Sequence, residues 1–139
     1  MNRFGLFCSS GIDFAVPLAS LVKILPGEHC YRLPKLPRSI VGVVVENGQL
    51  IPQLDLSQLL PCIGDKGDVA EYQVFVDSEC GTLALEATRS CGIVAEQKGR
   101  VVVQGPPVHG IAGEFHFHER IFQILDIDCL AIGLIQESW

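Results

Sequence analysis

Residues 40–56, IVGVVVENGQLIPQLDL, carry the pattern that determines the fold class. The run from Ile40 to Val45 is almost continuously β-branched, which favours a strand. Asn47-Gly48 follows, and this is the preferred pair for a two-residue type I′ turn between antiparallel strands. Leu50 to Leu54 forms the return strand. The stretch therefore predicts a β-hairpin, followed by a short helix that Asp55 caps.

The same order of elements occurs twice along the chain. Phe14-Ala15-Val16 matches Leu83-Ala84-Leu85, and the segment from Leu50 to Leu56 matches the segment from Ile121 to Ile127. A polar linker over residues 64–71 separates the two halves. The duplication predicts an all-β chain that curls into two small barrels, because closure removes exposed sheet edges. The approximate subdomains are residues 1–69 and 70–139, each with five short strands and with strand exchange between them left open.

The charge balance argues against nucleic-acid and membrane partners. Ten basic and sixteen acidic residues give a net charge of −6, and no two basic residues are adjacent. Such a chain has no general attraction to phosphate backbones or anionic lipid. No segment has the roughly 18 apolar residues of a membrane helix, and the N-terminus does not resemble a signal peptide. We therefore expect a cytoplasmic protein with no direct membrane insertion and no nucleic-acid partner.

No catalytic motif can be recognised in the sequence. It contains no Gly-x-Ser-x-Gly elbow, no phosphate-binding glycine loop and no His-Glu-x-x-His, and its acidic residues are spread among predicted turns and caps. The chain is therefore predicted not to be an enzyme and to need no cofactor. None of the cysteines is spaced as Cys-x-x-Cys, so a structural zinc site is not expected. Because the N-terminus does not resemble a signal peptide, buried, reduced thiols are predicted instead of disulfides. They are Cys8, Cys30, Cys62, Cys80, Cys91 and Cys129.

Residues 114–119, EFHFHE, contain the candidate metal ligands. If this segment is a strand, Glu114, His116 and His118 lie on one face and the two phenylalanines lie on the other. Imidazoles two residues apart on a strand can share a metal ion. The alternative is an exposed polar face over two core phenylalanines. The metal interpretation leads to the alternative function, a metal- or ligand-responsive sensor.

Val43-Val44-Val45 has no polar alternation, so both faces of this strand are apolar. One interpretation buries the strand between the two barrels. The other leaves one face exposed to meet a partner. Both hold if the groove between the barrels is the binding site.

A set of short motifs occurs in a fixed order along both halves of the chain. In the first half they are residues 14–18, Val22, residues 24–26, Leu33-Pro34, Leu36-Pro37, residues 40–44, Gly48, residues 50–52, residues 54–56 and Leu59-Leu60. In the second half they are residues 92–94, residues 110–112 and residues 124–127. Taken together, these ordered motifs resemble the CheW-like domain, the adaptor module of bacterial chemotaxis. The resemblance covers nearly the whole chain, as one domain over residues 1–139.

This resemblance implies a fold and a set of partners. The fold is two SH3-like five-stranded β-barrel subdomains that share a core, with short helical turns. The function is a non-catalytic adaptor in two-component signal transduction. Its partners are the regulatory domain of a CheA-type histidine kinase and the cytoplasmic tip of a methyl-accepting chemoreceptor. Receptor contact is expected near the groove between barrels, with the partner-binding residues Val22, Gly42, Val43, Val45, Asn47, Gly48 and Ile51.

The chain departs from the family pattern in two places. Where the family usually has Asn-Leu-Arg-Gly, this chain has Val45-Glu46-Asn47-Gly48. Asn47 lacks the fixed charge and five donors of arginine. Glu46 reverses the local charge, so we expect a carboxylate on the partner to be repelled. The short segment that ends at Trp139 is expected to leave little room for a helix after the second barrel.

Overall fold

The computed structural model describes residues 2–27, 30–56, 71–103, 105 and 110–137, with side chains as far as Leu134. The first six strands are β1 (Arg3–Ser9), β2 (Ile12–Pro17), β3 (Leu21–Pro26), β4 (Cys30–Tyr31), β5 (Ile40–Glu46) and β6 (Gln49–Leu54). The other six are β7 (Tyr72–Ser78), β8 (Gly81–Ala87), β9 (Arg89–Ala95), β10 (Arg100–Val102), β11 (Ile111–Phe117) and β12 (Arg120–Leu125). Helix α1 spans Ile127–Glu137, and single 3-10 turns occur at Leu18–Ser20 and Glu96–Lys98.

The described strands form two six-stranded sheets, one for each barrel. Barrel 1 has the order β3-β7-β8-β6-β5-β4, and barrel 2 has the order β10-β11-β12-β2-β1-β9. The hairpin β7–β8 thus completes a sheet whose other strands come from the first half of the chain. In the same way, the hairpin β1–β2 completes a sheet whose other strands come from the second half. The all-β, two-barrel prediction is confirmed. Five strands per barrel were expected, and the sixth in each is the short edge strand β4 or β10.

The duplication is visible in the strand register. Parallel strands join the two halves in each sheet, with Gln53 opposite Ala84 in barrel 1 and Ile124 opposite Ala15 in barrel 2. These two pairs are equivalent, since Gln53 precedes Ile124 by 71 positions and Ala15 precedes Ala84 by 69. The sequence repeat therefore identifies residues at the same place in the two sheets.

Two glycines hold equivalent β-bulges, at which the register shifts. They are Gly42 in β5 and Gly113 in β11. A Cβ atom at Gly113 would lie 2.8 Å from the Val102 carbonyl oxygen, and one at Gly42 would collide with the Tyr31 carbonyl oxygen. Glycine is required at both places because the short edge strand crosses there too closely for a side chain.

A shared core lies between the two sheets and under α1. It contains fully buried side chains from both sheets, including Phe14, Val16, Leu54 and Leu85. Each barrel also has an interior of its own. In barrel 2 the interior is built on Phe4, Leu6, Ala15, Phe115, Phe122 and Ile124, and in barrel 1 on Val44, Ile51, Phe75 and Ala84.

Helix α1 packs on the shared core through one apolar stripe. Its buried residues, Ile127, Leu130, Ala131 and Leu134, have helical i, i+3, i+4 and i+7 spacing. Asp126 caps it, because its Oδ1 accepts a hydrogen bond of 3.0 Å from the Cys129 N–H. Our expectation of little room for a C-terminal helix is wrong, since the helix that follows Asp126 has eleven residues, from Ile127 to Glu137. The short helix predicted after Asp55 lies mostly outside the described residues.

The cysteines are free thiols wherever the structure describes them. Cys8 is buried, whereas Cys30, Cys91 and Cys129 are half-buried and Cys80 is exposed in the β7–β8 turn. Our prediction of buried thiols is therefore wrong for Cys80, because a two-residue turn has no core to face. Burial raises the pKa of the Cys30 thiol, and the nearby Glu86 raises it further. Cys62 lies outside the described residues.

Candidate functional site

The predicted partner-binding residues lie on barrel 1, on strands β3, β5 and β6. Strand β3 is one edge of the sheet, and β5 lies next to the other edge. The Lys23 ammonium nevertheless forms an ion pair with the Glu46 carboxylate, which joins β3 to the end of β5 and closes the barrel. Lys23 also lies 5.6 Å from the centroid of the Phe75 ring. The exposed Val22 is therefore held on the strand that the ion pair ties to the β5–β6 hairpin.

The tip of that hairpin is the predicted type I′ turn. Asn47 and Gly48 have φ angles of 50° and 77°, as this turn requires, and both residues are exposed. Glu46, the residue before them, has a side chain only 18% exposed and is paired with Lys23. Its charge is thus offset within the chain. This weakens the argument that Glu46 would repel a carboxylate on a partner.

Alternation along β5 and β6 divides the predicted residues into an inner and an outer set. Val44 and its cross-strand neighbour Ile51 point into barrel 1, where they pack with Phe75 and Ala84. Ile51 is only 4% exposed and Gly42 is buried, so neither presents a contact surface. These two residues support the surface from below.

The outer set forms an apolar face on strands β4, β5 and β6. Val45 is directly opposite Leu50, and Val43 is opposite both Tyr31 and Pro52. Directly opposite residues share a face of the sheet. Leu50 is 68% exposed, Tyr31 50% and Val45 47%. We refer to Tyr31, Val43, Val45, Leu50 and Pro52 as the outer apolar face.

Sequence reasoning missed Leu50 and Tyr31. A signal for Leu50 was available, because a two-residue turn at Asn47-Gly48 fixes Val45 opposite Leu50. No comparable signal existed for Tyr31. Its place depends on the two-residue edge strand β4. That strand lies within residues 26–38, where three prolines predict an extended connection instead of a paired strand.

The interior of barrel 1 contains a chain of polar side chains. Gln73 donates from Nε2 to Gln53 Oε1 at 2.5 Å, and Gln53 donates from Nε2 to Glu86 Oε1 at 2.8 Å. Both glutamines are less than 5% exposed. Burial raises the pKa of the Glu86 carboxyl, with Asp55 adding to the effect and the Gln53 hydrogen bond and Arg32 opposing it. In barrel 2, the positions equivalent to Gln73 and Gln53 are occupied by the apolar residues Phe4 and Ile124.

The candidate metal ligands do not share one face. Strand β11 ends at Phe117, and His118 and Glu119 form a two-residue turn with φ angles of 49° and 60°. The strand alternation therefore ends before His118, which is exposed with its ring edge against Phe117. The predicted common face of Glu114, His116 and His118 is wrong.

His116 and Glu114 do lie together, with 3.1 Å between His116 Nε2 and Glu114 Oε1. Within the part of the chain that the structure describes, no three His, Cys, Asp or Glu side chains are grouped so that they could hold a metal ion. His109, whose imidazole could supply a further nitrogen if its loop folded back, lies outside that part of the chain. No observation therefore favours the sensor hypothesis.

Barrel 2 has an ion pair of its own between strands β12 and β2. Arg120 donates from Nε to Asp13 Oδ2 at 2.9 Å and from Nη2 to Asp13 Oδ1 at 2.5 Å. This bidentate pairing raises the pKa of Arg120 further above its usual value, so the residue stays charged. The guanidinium also lies 5.0 Å from the centroid of Phe122. The ion pair therefore links two neighbouring strands in the middle of the barrel 2 sheet, which is a structural role.

Comparison with known proteins gave a family and a fold. The family model of the CheW-like domain matches residues 3–132. A crystal structure of the scaffolding protein TtCheW from Thermoanaerobacter tengcongensis superposes with a TM-score of 0.78 at 15% identity. The alignment covers 93% of this chain and 91% of that one, and at such low identity it shows a common fold alone. No curated protein matched the sequence. None of the described helices is long and apolar enough to cross a membrane.

Proposed function

The chain belongs to the family of CheW-like domains, and we propose that it is a cytoplasmic, non-catalytic adaptor that couples chemoreceptors to a CheA-type histidine kinase. The family match supports the general role of a chemotaxis scaffold. We infer the specific partners from the resemblance of the sequence motifs. The adaptor would act by holding receptor and kinase in one geometry, which shifts the population of kinase states.

The observation that carries this proposal is the outer apolar face of barrel 1. Val45 and Leu50 are large apolar side chains that lie side by side, well exposed, on a hairpin with a tight turn. A partner that covers them removes apolar surface from water at little cost in ordering the chain. Exposed apolar side chains that lie next to each other are typical of protein–protein interaction sites.

The polar groups of the described residues support a binding role over a catalytic one. The carboxyl with a raised pKa, Glu86, is hydrogen-bonded to Gln53 inside barrel 1. The carboxylates of Asp13 and Glu46 are occupied by ion pairs. These groups have structural partners instead of facing one another across a cleft, as an acid and a base would.

The proposal can be tested with the CheA-type kinase and the chemoreceptor encoded in the same genome. We expect both to be retained on the immobilised protein, and Leu50→Ser to weaken the binding of at least one of them by roughly tenfold or more. Ile132→Ser is the matched control, because Ile132 is 50% exposed on α1, an element that is not part of this face. The control should bind within about twofold of the original chain. Failure of both partners to bind at tens of micromolar would refute the proposal.

A further inference from the structure

The basic residues are unevenly distributed between one segment and the rest of the chain. Residues 30–45 contain Arg32, Lys35 and Arg38 and no acidic residue. The rest of the chain has 7 of the 10 basic residues and all 16 acidic residues, a net charge of −9. An acidic protein thus carries one locally positive segment.

The three cations are available to a partner. Arg32, Lys35 and Arg38 are all exposed, and none forms an ion pair with another described residue. The nearest acidic residues along the chain are Glu28, which is outside the described residues, and Glu46, which is paired with Lys23. In space, the Arg32 guanidinium is close enough to the Glu86 carboxyl to oppose the rise in its pKa, although the two do not form an ion pair. We call Arg32, Lys35 and Arg38 the basic rim.

The loop that displays the basic rim is held at both ends. At its start, Tyr31 is paired with Val43 in the β4–β5 ladder. At its end, the Ile40 N–H donates to the Pro37 carbonyl at 3.0 Å, and the Asp55 N–H donates to the buried Ser39 carbonyl at 2.8 Å. Prolines at 34 and 37 restrict the backbone between these anchors. The three charges are therefore presented by a preorganised loop, which lowers the entropic cost of binding.

The basic rim follows directly from the outer apolar face. Tyr31 belongs to that face, and Arg32 is the next residue in the chain. Leu33, which is 48% exposed, adds apolar surface between the first two cations. Apolar anchors bordered by charges of a single sign recognise a segment with apolar side chains and the opposite charge.

We propose that the outer apolar face and the basic rim together dock an acidic, amphipathic segment of a partner protein. This proposal rests on the adaptor function, because that function identifies the partner as the kinase or the receptor. In the docked segment, carboxylates would face the basic rim and apolar side chains would face Tyr31 and Leu50. This chemistry is the same whichever protein supplies the segment. The negative charge on the rest of the chain opposes an extended anionic surface such as a bilayer or a nucleic acid, whereas a short segment avoids it.

The first test measures binding to the kinase and receptor with the charges reversed. The variant Arg32→Glu/Lys35→Glu/Arg38→Glu should weaken binding by roughly tenfold or more and remove most of its dependence on salt. Arg89→Glu/Lys98→Glu/Arg100→Glu is the matched control, with the same change in net charge at three exposed residues on or beside barrel 2. We expect the control to bind within about twofold of the original chain. If both triple variants bind alike, the inference is overturned and the adaptor function stands.

The second test does not depend on the adaptor function. A short synthetic amphipathic peptide of leucine and glutamate is titrated into the isotope-labelled full chain, and amide shifts are followed by NMR. We expect shifts at residues 31–38 and 43–50, and none with the same peptide carrying lysine for glutamate. Such shifts would support the inference even if the kinase and receptor failed to bind. Shifts at other residues, or no shifts at all, would overturn the inference. It would also be overturned if the chain bound vesicles of phosphatidylcholine and phosphatidylglycerol more strongly than the peptide, and if Arg32→Glu/Lys35→Glu/Arg38→Glu abolished that binding.

Discussion

Replacing Gly42 by alanine tests whether the outer apolar face depends on the close crossing of β4 over β5. An alanine Cβ would collide with the Tyr31 carbonyl oxygen and lie 2.8 Å from Cys30 Sγ. The oxygen belongs to the backbone of β4, so relief requires the strand itself to move. Tyr31 and the start of the basic rim would move with it.

The expected loss of stability can be estimated from the kind of clash. Forcing extra atoms into a packed site costs about 1–3 kcal/mol, and the two residue pairs that join β4 to β5 are weakened as well. A chain of this size loses roughly 3–5 °C in Tm per kcal/mol, so Gly42→Ala should lower Tm by about 3–15 °C. Circular dichroism during heating measures this change. Hydrogen exchange should also show faster exchange at Tyr31 and Val43 than in the original chain.

Gly133→Ala is the control for this prediction. A Cβ at Gly133 has no atom within 4 Å, and the residue lies in the interior of α1. Alanine there should raise the unfolding free energy by up to about 1 kcal/mol, because it has the better helix propensity. Gly113→Ala, in the equivalent bulge of barrel 2, should destabilise the fold while leaving the outer apolar face in place. A Tm for Gly42→Ala within one degree of the original chain would refute the steric argument.

Two further substitutions test the polar groups of barrel 1. Glu86→Gln should raise the unfolding free energy at pH 7, because glutamine is neutral at that pH. Burial raises the pKa of Glu86, so the folded protein favours the neutral carboxyl. The stability that this neutral form contributes is lost as pH rises from about 4.5 through the raised pKa. Urea unfolding should show the advantage of the variant shrinking towards pH 4, and an advantage independent of pH would contradict the assignment. A double-mutant cycle of Lys23→Ala and Glu46→Ala should give a coupling free energy of about 0.5–1 kcal/mol, since both side chains are partly shielded from water. A coupling of zero would mean that the ion pair does not hold β3 to the hairpin.

The site was predictable only in part, and the division follows the range of the interactions. Asn47-Gly48 was placed correctly at the hairpin tip, because turn geometry depends on adjacent residues. Ile51 was expected to contact a partner and is buried, since the face that a strand turns inward is chosen by the rest of the sheet. The alternation expected through His118 ends one residue earlier, at Phe117, because His118 and Glu119 adopt left-handed backbone conformations that no glycine or asparagine marks in the sequence.

The sequence by itself determined the local elements and their duplication: the type I′ turn, the β-branched strands and the cap at Asp126. These depend on backbone preferences and hydrogen bonds within a few residues, which recur wherever the same pattern recurs. Only the tertiary structure decided that each half completes the other's sheet, and that Lys23 meets Glu46 across the barrel. It also decided that the loop with the basic rim begins at the edge strand of an apolar face built from β4, β5 and β6. Such contacts depend on which strands pair, and that choice minimises exposed apolar surface over the whole chain instead of satisfying any one segment.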